Sequence, residues 1–379
     1  MRGILKKLSL RGFKSIKQLD DFELRPLNVL IGANGAGKSN FVQLFRMLNA
    51  MADKNFAKFI LERGGANNFL FNGRKITPKL ELELEFNSRS AFSDGSNFYR
   101  AEFTPTVEDT FLLEETRQYA GHMPRSYGGP SEESRLQDEK NEPDKTGNFH
   151  GLGYFVYETI ANWMVYHFHD TAASAAMRNY QIVEYCQRLS DDAGNIAPFL
   201  LNLKNSDRAA RQDSYKSIVE VLRLVIPFFD DFRLDIRKFG QAEKVCLSWK
   251  QKGSDFPMQP YHLSDGSIRF MCLVCALLQP DPPSLIVIDE PELGLHPRAL
   301  ALLAELMQTA AQHTQIIVAT QAPLLLDQFA LDEIIVVKRE NGASLFQRLE
   351  ENEFSVWLQE YSPGELWRKN VIAGGVVYE

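Results

Sequence analysis

The residues Gly32-Ala33-Asn34-Gly35-Ala36-Gly37-Lys38-Ser39 satisfy G-x-x-x-x-G-K-S, a spacing suited to holding phosphate. Gly35 and Gly37 allow backbone geometry closed to other residues, so successive N–H groups can converge on phosphate oxygens. A helix starting at such a loop adds the partial positive charge of its N-terminus. Lys38 can reach the β- and γ-phosphates of a nucleotide, and Ser39 can place its hydroxyl on Mg2+. A second chemical segment, Ser284–Glu290, reads SLIVIDE and ends an apolar run in two acids. A buried parallel strand has no use for carboxylates at its carboxyl end unless something there pairs with them, and that edge is where ligands bind in open α/β sheets. Asp289 would hold Mg2+ and Glu290 would polarise an attacking water as general base. Gln321 follows another apolar run, Ile316–Thr320, and offers a polar group beside those acids.

The elements that must position these residues are legible around them. Leu27–Ile31 is an apolar strand leading into the loop, and Phe41, Val42, Leu44, Phe45 and Leu48 recur at helical spacing after it. Leu263-Ser264-Asp265-Gly266 precedes an apolar helix, so Ser264 and Gly266 make a second anion-binding terminus. One triphosphate does not need two such termini. A dimer does, if each copy's Ser264 segment closes over the loop of the other.

The chain of 379 residues has 44% hydrophobic and 24% charged residues and a net charge of −7, as in an ordinary globular protein without a global polyanion-binding character. Four scattered cysteines do not make a disulfide framework, and Cys272 and Cys275 fall in an apolar segment that predicts a buried helical pair. No apolar run approaches the roughly 20 residues of a membrane span, and the N-terminus has no signal-peptide core. The expectation is a soluble cytoplasmic protein.

Ile4–Leu10 alternates apolar and basic residues; Lys14 lies either on a solvated strand face or close enough to the phosphate loop to neutralise triphosphate charge. KLELELEF (79–86) alternates strictly as a strand with one wet face, with further strands at Asn97–Phe103 and Thr110–Glu115. Residues 128–148 are polar and rich in Gly, Pro and Ser, and predict a mobile loop. The aromatic Tyr154–Phe168 runs into His167-Phe168-His169-Asp170, a bare H-x-H-D that favours a structural or nucleotide-proximal strand over a metal centre. Helices are expected at 172–189, 197–203 and 215–225, then a hairpin about Gly240.

With these pieces in place the chain resembles the RecF/SMC-type branch of the ABC ATPases, specifically the compact AAA-family ATPases akin to the ATPase part of OLD-family proteins. The resemblance rests on LKKLSLRGFKSIK, the Walker A loop GANGAGKSN, the signature LSDGSIR, the Walker B strand LIVIDEPE, the D-loop-like ELGLHP and the switch strand VATQAPLLLD. It implies an α/β fold: an ABC-type P-loop head with an antiparallel β subdomain and an inserted, mainly helical lobe. The expected division is 1–125 and 256–379 for the two parts of the ATPase lobe, 126–150 for the mobile loop and 151–255 for the insert. It also implies an ATPase using ATP and Mg2+, with Glu290, Gln321 and Lys38 catalytic and Ser39 and Asp289 on the metal. The nucleotide would be bound by Asn34, Gly35, Gly37, Lys38, Ser39, Asn40 and Lys14, with Ser264 and Gly266 contributed by a second copy. Asp265 stands where transporter-type members carry Gly, Gln321 replaces the more usual His, and no Q-loop glutamine can be assigned. Only 41 residues follow Lys338, too few for a Toprim nuclease domain, since a compact domain needs on the order of 100. The implied role is therefore control of a separate effector such as a nuclease, as in bacterial anti-phage systems; the alternative is an ATP-gated clamp on DNA in repair. A transporter engine would need a membrane partner, and no membrane association is expected.

Overall fold

The computed structural model describes residues 3–87, 95–141, 151–184 and 186–372. The chain opens with strands β1 (Ile4–Phe13), β2 (Ile16–Glu23) and β3 (Leu27–Ile31), then helices α1 (Lys38–Ala52) and α2 (Phe56–Glu62). Strands β4 (Leu80–Asn87), β5 (Ser96–Pro105), β6 (Phe111–Tyr119) and β7 (Arg125–Ser126) follow, then α3 (Leu152–Ile160) and β8 (Met164–Tyr166). The middle holds β9 (Gln181–Ile182), α4 (Ile196–Lys204), α5 (Ala209–Val225), β10 (Phe229–Arg233), β11 (Arg237–Phe239), β12 (Ala242–Val245), β13 (Ser248–Gln251) and β14 (Pro257–Met258). Last come α6 (Asp265–Leu277), β15 (Leu285–Asp289), α7 (Pro297–Ala310), β16 (Gln315–Thr320), α8 (Pro323–Leu326), β17 (Ile334–Glu340) and β18 (Ala343–Arg348).

Two six-stranded sheets dominate. One is antiparallel in the order β2-β1-β4-β5-β6-β7; the other runs β18-β17-β3-β16-β15-β8 and is parallel except for β18. The strict alternation of β4 does what it predicts: Leu80, Leu82, Leu84 and Phe86 are buried, while Glu81, Glu83 and Glu85 take Lys79, Arg100 and Lys6 on the wet face. The central parallel strands are covered on both sides, which is why their runs are mainly apolar, with the buried Asn28 and Gln315 side chains donating to backbone carbonyls. Leu27, Val29, Ile31, Ile286, Ile288, Ile316 and Val318 feed a core shared with α6, α7 and the middle segment. Leu30, Leu285, Val287, Ile317, Ala319 and Val337 feed a second core with α1 and the antiparallel sheet.

Register then decides where chemistry can occur. Ile31 pairs with Thr320, Asp289 with Ala319, and Tyr166 with Ile288. The segments leaving β3, β16, β15 and β8 therefore emerge side by side at one carboxyl edge, where open α/β sheets bind ligands.

Elsewhere the structure corrects local expectations. Residues 128–141 of the expected mobile loop are built onto the antiparallel sheet: Ser131 bridges to Leu113, Leu136 is fully buried, and Ser134 and Arg135 bond to the buried Glu115. A single apolar anchor and a buried carboxylate order a stretch that composition marks as polar; residues 142–150 lie outside the described set. The helix expected at 172–189 is replaced by a 3-10 turn at Ala176–Arg178 and the short β9. Asn179, Gln181 and Arg178 side chains bond to the carbonyls of Ser174, Ala175, Ala176 and Thr171, competing with a helical ladder. The strand expected at the H-x-H-D segment is the short β8, which ends at Tyr166, so His167–Asp170 lie just past its carboxyl end. The single hairpin expected about Gly240 is split: β11 and β12 pair around that residue, while β10 pairs with β13 in a separate sheet. Cys272 and Cys275 are fully buried on α6 as free thiols. Among the described residues no helix is long and apolar enough to cross a membrane.

Candidate nucleotide site

The glycine-rich loop is held in place before any ligand arrives. Gly35 and Gly37 have φ of 78° and 119°, the left-handed region that favours glycine. At Gly37 there is also no room, since a Cβ would lie 2.0 Å from Ser344 Oγ and 2.8 Å from Ser15 Oγ. Asn40 Nδ2 donates to Ser15 Oγ at 2.7 Å, the hydroxyls of Ser15 and Ser344 are 2.7 Å apart, and Ser344 Oγ donates to the Ala36 carbonyl at 2.5 Å. The turn between β1 and β2 and the start of β18 thus brace the loop. Lys38, 4% exposed, donates to the carbonyls of Gly32 at 2.6 Å and Ala33 at 3.2 Å. Burial lowers the ammonium's pKa, against the opposing pull of Glu290, Asp289 and Glu292. Asn34 is exposed at the tip, and Arg339 Nη1 reaches the Gly35 carbonyl at 3.3 Å.

The acids stand opposite. Glu290 has φ of 47° and its N–H donates to the Ala319 carbonyl at 2.7 Å, tying it to the neighbouring strand. Gln321 Nε2 donates to Glu290 Oε1, and the Gln321 N–H donates to Glu292 Oε1 at 2.7 Å. Burial, and then the charge of Glu290, raises the Asp289 carboxyl pKa; His169, Arg46 and a hydrogen bond with Ser39 pull it down by less. A carboxyl whose pKa is raised by folding binds more protons folded than unfolded, so its charged form opposes folding at neutral pH and the penalty is relieved as pH falls through the folded pKa. The neutral isostere should relieve it at neutral pH. Asp289→Asn is therefore expected to raise the melting temperature of the nucleotide-free protein, by about 2 °C if the relief is ~1 kcal/mol. Differential scanning calorimetry with chelator present checks this, and a fall in melting temperature would contradict it.

A cavity of about 330 Å3 opens beside these groups, lined by Ser39, Gln43, Arg46, His167, His169, Asp289 and Glu290 among others. Sequence reasoning missed Gln43 and Arg46, although Ser39, Gln43 and Arg46 recur at i, i+4 and i+7 and must share a face of α1. It also left the roles of His167 and His169 open. His169 Nε2 lies 3.0 Å from the Asp289 carbonyl oxygen. The imidazole of His167 is pushed down to about 4 by burial, then by His169 and Arg46.

The other expected residues fall elsewhere. Among the described residues no hydrogen bond joins the Lys14 side chain to the loop: its ammonium sits 4.5 Å from the centroid of the Phe69 ring, and burial, then the charge of Arg63, lowers its pKa. Asn40 points back to Ser15. Ser264 caps α6, its Oγ accepting from Ser267 N–H at 3.1 Å, and is exposed. Gly266 packs so closely on the Gly294 carbonyl that a Cβ would lie 2.0 Å from that oxygen. Among the described residues no hydrogen bond joins either of them to Gly32–Ser39 of the same chain.

A family profile described as "AAA domain, putative AbiEii toxin, Type IV TA system" matches residues 27–327. The chain belongs to this AAA family. A curated relative of the AAA chain, the DNA replication and repair protein RecF of Renibacterium salmoninarum, is 37% identical over 91 residues, and the match covers 23% of each protein. Two solved structures share its fold at 15% identity. One is an Smc head bound to the C-winged helix domain of ScpA, with a TM-score of 0.59, covering 92% of this chain and 99% of that one. The other is an Smc head with an extended coiled coil, bound to the C-terminal domain of ScpA, derived from Pyrococcus furiosus. Its TM-score is 0.58, covering 94% of this chain and 99% of that one. The AAA chain has the ABC-type P-loop fold of these heads.

The donor set of the AAA chain suits Mg2+. Asp289 Oδ1 is buried without a hydrogen-bond partner among the described residues, beside the Ser39 hydroxyl. Hard oxygen donors of this kind, with few protein ligands, fit an ion that keeps its waters and shares substrate phosphates. Among the described residues no group of three or more His, Cys, Asp or Glu side chains could hold a metal alone.

Proposed function

We propose that the protein binds ATP with Mg2+ and hydrolyses it as a head-to-head dimer, and that the nucleotide state governs a separate effector such as a nuclease in defence against phage. What supports this most is the hydrogen-bonded meeting of Gln321 with Glu290 and Glu292, at the same edge as Ser39 and Asp289 and within the field that acts on Lys38. In this reading the loop N–H groups of Gly35 and Gly37, with Lys38, hold the β- and γ-phosphates. Ser39 and Asp289 hold Mg2+, which when bound neutralises phosphate charge. Glu290 takes the proton of the attacking water, and Gln321 orients Glu290 through their hydrogen bond. Asn34, exposed at the loop tip, would meet the nucleotide from outside, while Asn40 would act through Ser15. Lys14 would have to leave the Phe69 ring to reach a phosphate. The family description, with its toxin and Type IV TA system, agrees with a chain that works beside a partner.

The trans contribution of Ser264 can be separated from its capping role. Aspartate caps a helix as well as serine and suits the positive N-terminus. Ser264→Asp should therefore leave the melting temperature within about 2 °C, since a kept cap costs well under the ~1 kcal/mol of a lost one. A carboxylate facing another copy's γ-phosphate is a like-charge contact costing several kcal/mol, so ATP-dependent dimerisation by light scattering, and hydrolysis with it, should fall at least about 10-fold. Unchanged dimerisation would remove Ser264 from the nucleotide interface. The RecF match supports a second reading, an ATP-gated clamp on DNA. That reading requires affinity for DNA that weakens steeply with salt.

A further inference from the structure

Strand β8 brings to the candidate site two histidines that the reading above does not use. Because β8 runs parallel to β15 with Tyr166 beside Ile288, the residues just beyond Tyr166 run alongside Asp289. His169 Nε2 is 3.0 Å from the Asp289 carbonyl oxygen. A carbonyl only accepts, so Nε2 carries the proton, and in the neutral ring Nδ1 keeps a lone pair. The backbone there is held firmly. Arg269, on the helix capped by Ser264 and only 8% exposed, donates from Nε to the Phe168 carbonyl at 2.9 Å and from Nη2 to the His169 carbonyl at 3.3 Å, and Nη1 bonds the Leu293 carbonyl. His167 is held by its N–H on the Asp191 carbonyl at 2.9 Å, and the two imidazole centroids are 4.2 Å apart.

The cavity wall also presents three buried polar atoms without hydrogen-bond partners among the described residues: Gln43 Oε1, Arg46 Nη2 and Asp289 Oδ1. Native proteins rarely leave such atoms unsatisfied, so this cavity is built for small polar occupants such as waters or a hydrated ion. The histidines do not make a metal centre of their own, because no sufficient cluster of ligands exists among the described residues.

We propose that His169 is a positioning residue for the hydrated metal at this site: its Nε2–H fixes the backbone of Asp289, and its Nδ1 accepts a hydrogen bond from a water on the metal or beside it. Such partners around a metal shell commonly change its affinity 10–100-fold when removed. The inference rests on the reading that Asp289 and Ser39 hold Mg2+. A carboxamide also offers one donor end and one acceptor end, so glutamine should replace the imidazole where phenylalanine should not.

The experiment uses full-length protein in a Glu290→Gln background, so that ATP persists, with Mn2+ as the probe followed by electron paramagnetic resonance. His169→Phe is expected to weaken ATP-dependent Mn2+ binding about 10-fold or more, and His169→Gln to stay within about 3-fold of the parent. Nucleotide affinity in chelator should be equal in all three. Mn2+ binding unchanged in His169→Phe, while Asp289→Asn abolishes it, would overturn the role of His169 and leave the metal site standing. Glutamine as damaging as phenylalanine would overturn it too, as would loss of metal-free nucleotide binding in His169→Phe, which marks a merely structural residue. Failure of the parent to bind Mn2+ with ATP would take down the metal reading and this inference together.

Discussion

Replacing Lys38 by alanine is expected to weaken ATP binding about 100-fold, enough to abolish a measurable complex at micromolar nucleotide. Hydrogen bonds to charged groups contribute about 1.5–3 kcal/mol each, and 3 kcal/mol is roughly 150-fold in affinity. Among the described residues the hydrogen-bond partners of the buried ammonium are the neutral carbonyls of Gly32 and Ala33, and burial already lowers its pKa. A triphosphate offers charged acceptors to a donor that the fold holds at a desolvation cost, so the lysine gains most when the nucleotide is present. The substitution should not collapse the loop. Besides the two bonds from Lys38, the loop is braced through Asn40, Ser15, Ser344 and Ala36, and those contacts survive the substitution. Thermal shift separates the two effects: ATP at 100 times its dissociation constant stabilises the wild type by about 2.7 kcal/mol. Lys38→Ala should melt near the wild type without ATP and fail to rise with it. An undiminished rise would show that the glycine-rich loop is not where the nucleotide binds.

Parts of this arrangement are legible in the sequence where their residues are contiguous. The phosphate loop and the strand ending in Asp289 and Glu290 are each written in one run, and the chemistry of a loop or a strand end follows from the run itself. Gln321 is legible for the same reason, as the residue after a buried strand. The cavity wall is different. Arg46 shows only when α1 is wound and its face checked. His169 becomes informative only when β8 is placed beside β15, a pairing of residues about 120 positions apart that no local pattern encodes. Residues 128–141 mislead in the other direction, because one buried Leu136 and the acceptor Glu115 outweigh a polar composition. Lys14 shows the limit of charge patterning. Its place in a basic strand invites a phosphate, yet at rest an aromatic ring holds it.

Glutamine at position 290 is expected to lower the steady-state hydrolysis rate by about 10²- to 10⁴-fold, the range that a positioned general base contributes, while ATP and Mg2+ still bind. The substitution is nearly isosteric, and the contacts that place residue 290 survive it. Its N–H still donates to Ala319, and its Oε1 still accepts from Gln321 Nε2. Only the proton acceptor is lost, together with one of three carboxylates crowded at this edge. Removing that charge should also favour the bound state, since Glu290 is one of the two leading causes of the raised Asp289 pKa. A less opposed Asp289 ionises more readily and is the better metal ligand, so the variant should accumulate as an ATP-loaded dimer in light scattering. This combination distinguishes a base from a metal ligand, because Asp289→Asn should lose the metal and never build that species. Phosphate release measured in a single turnover gives the decisive comparison. A Glu290→Gln rate within a few-fold of the wild type would assign proton abstraction to another group.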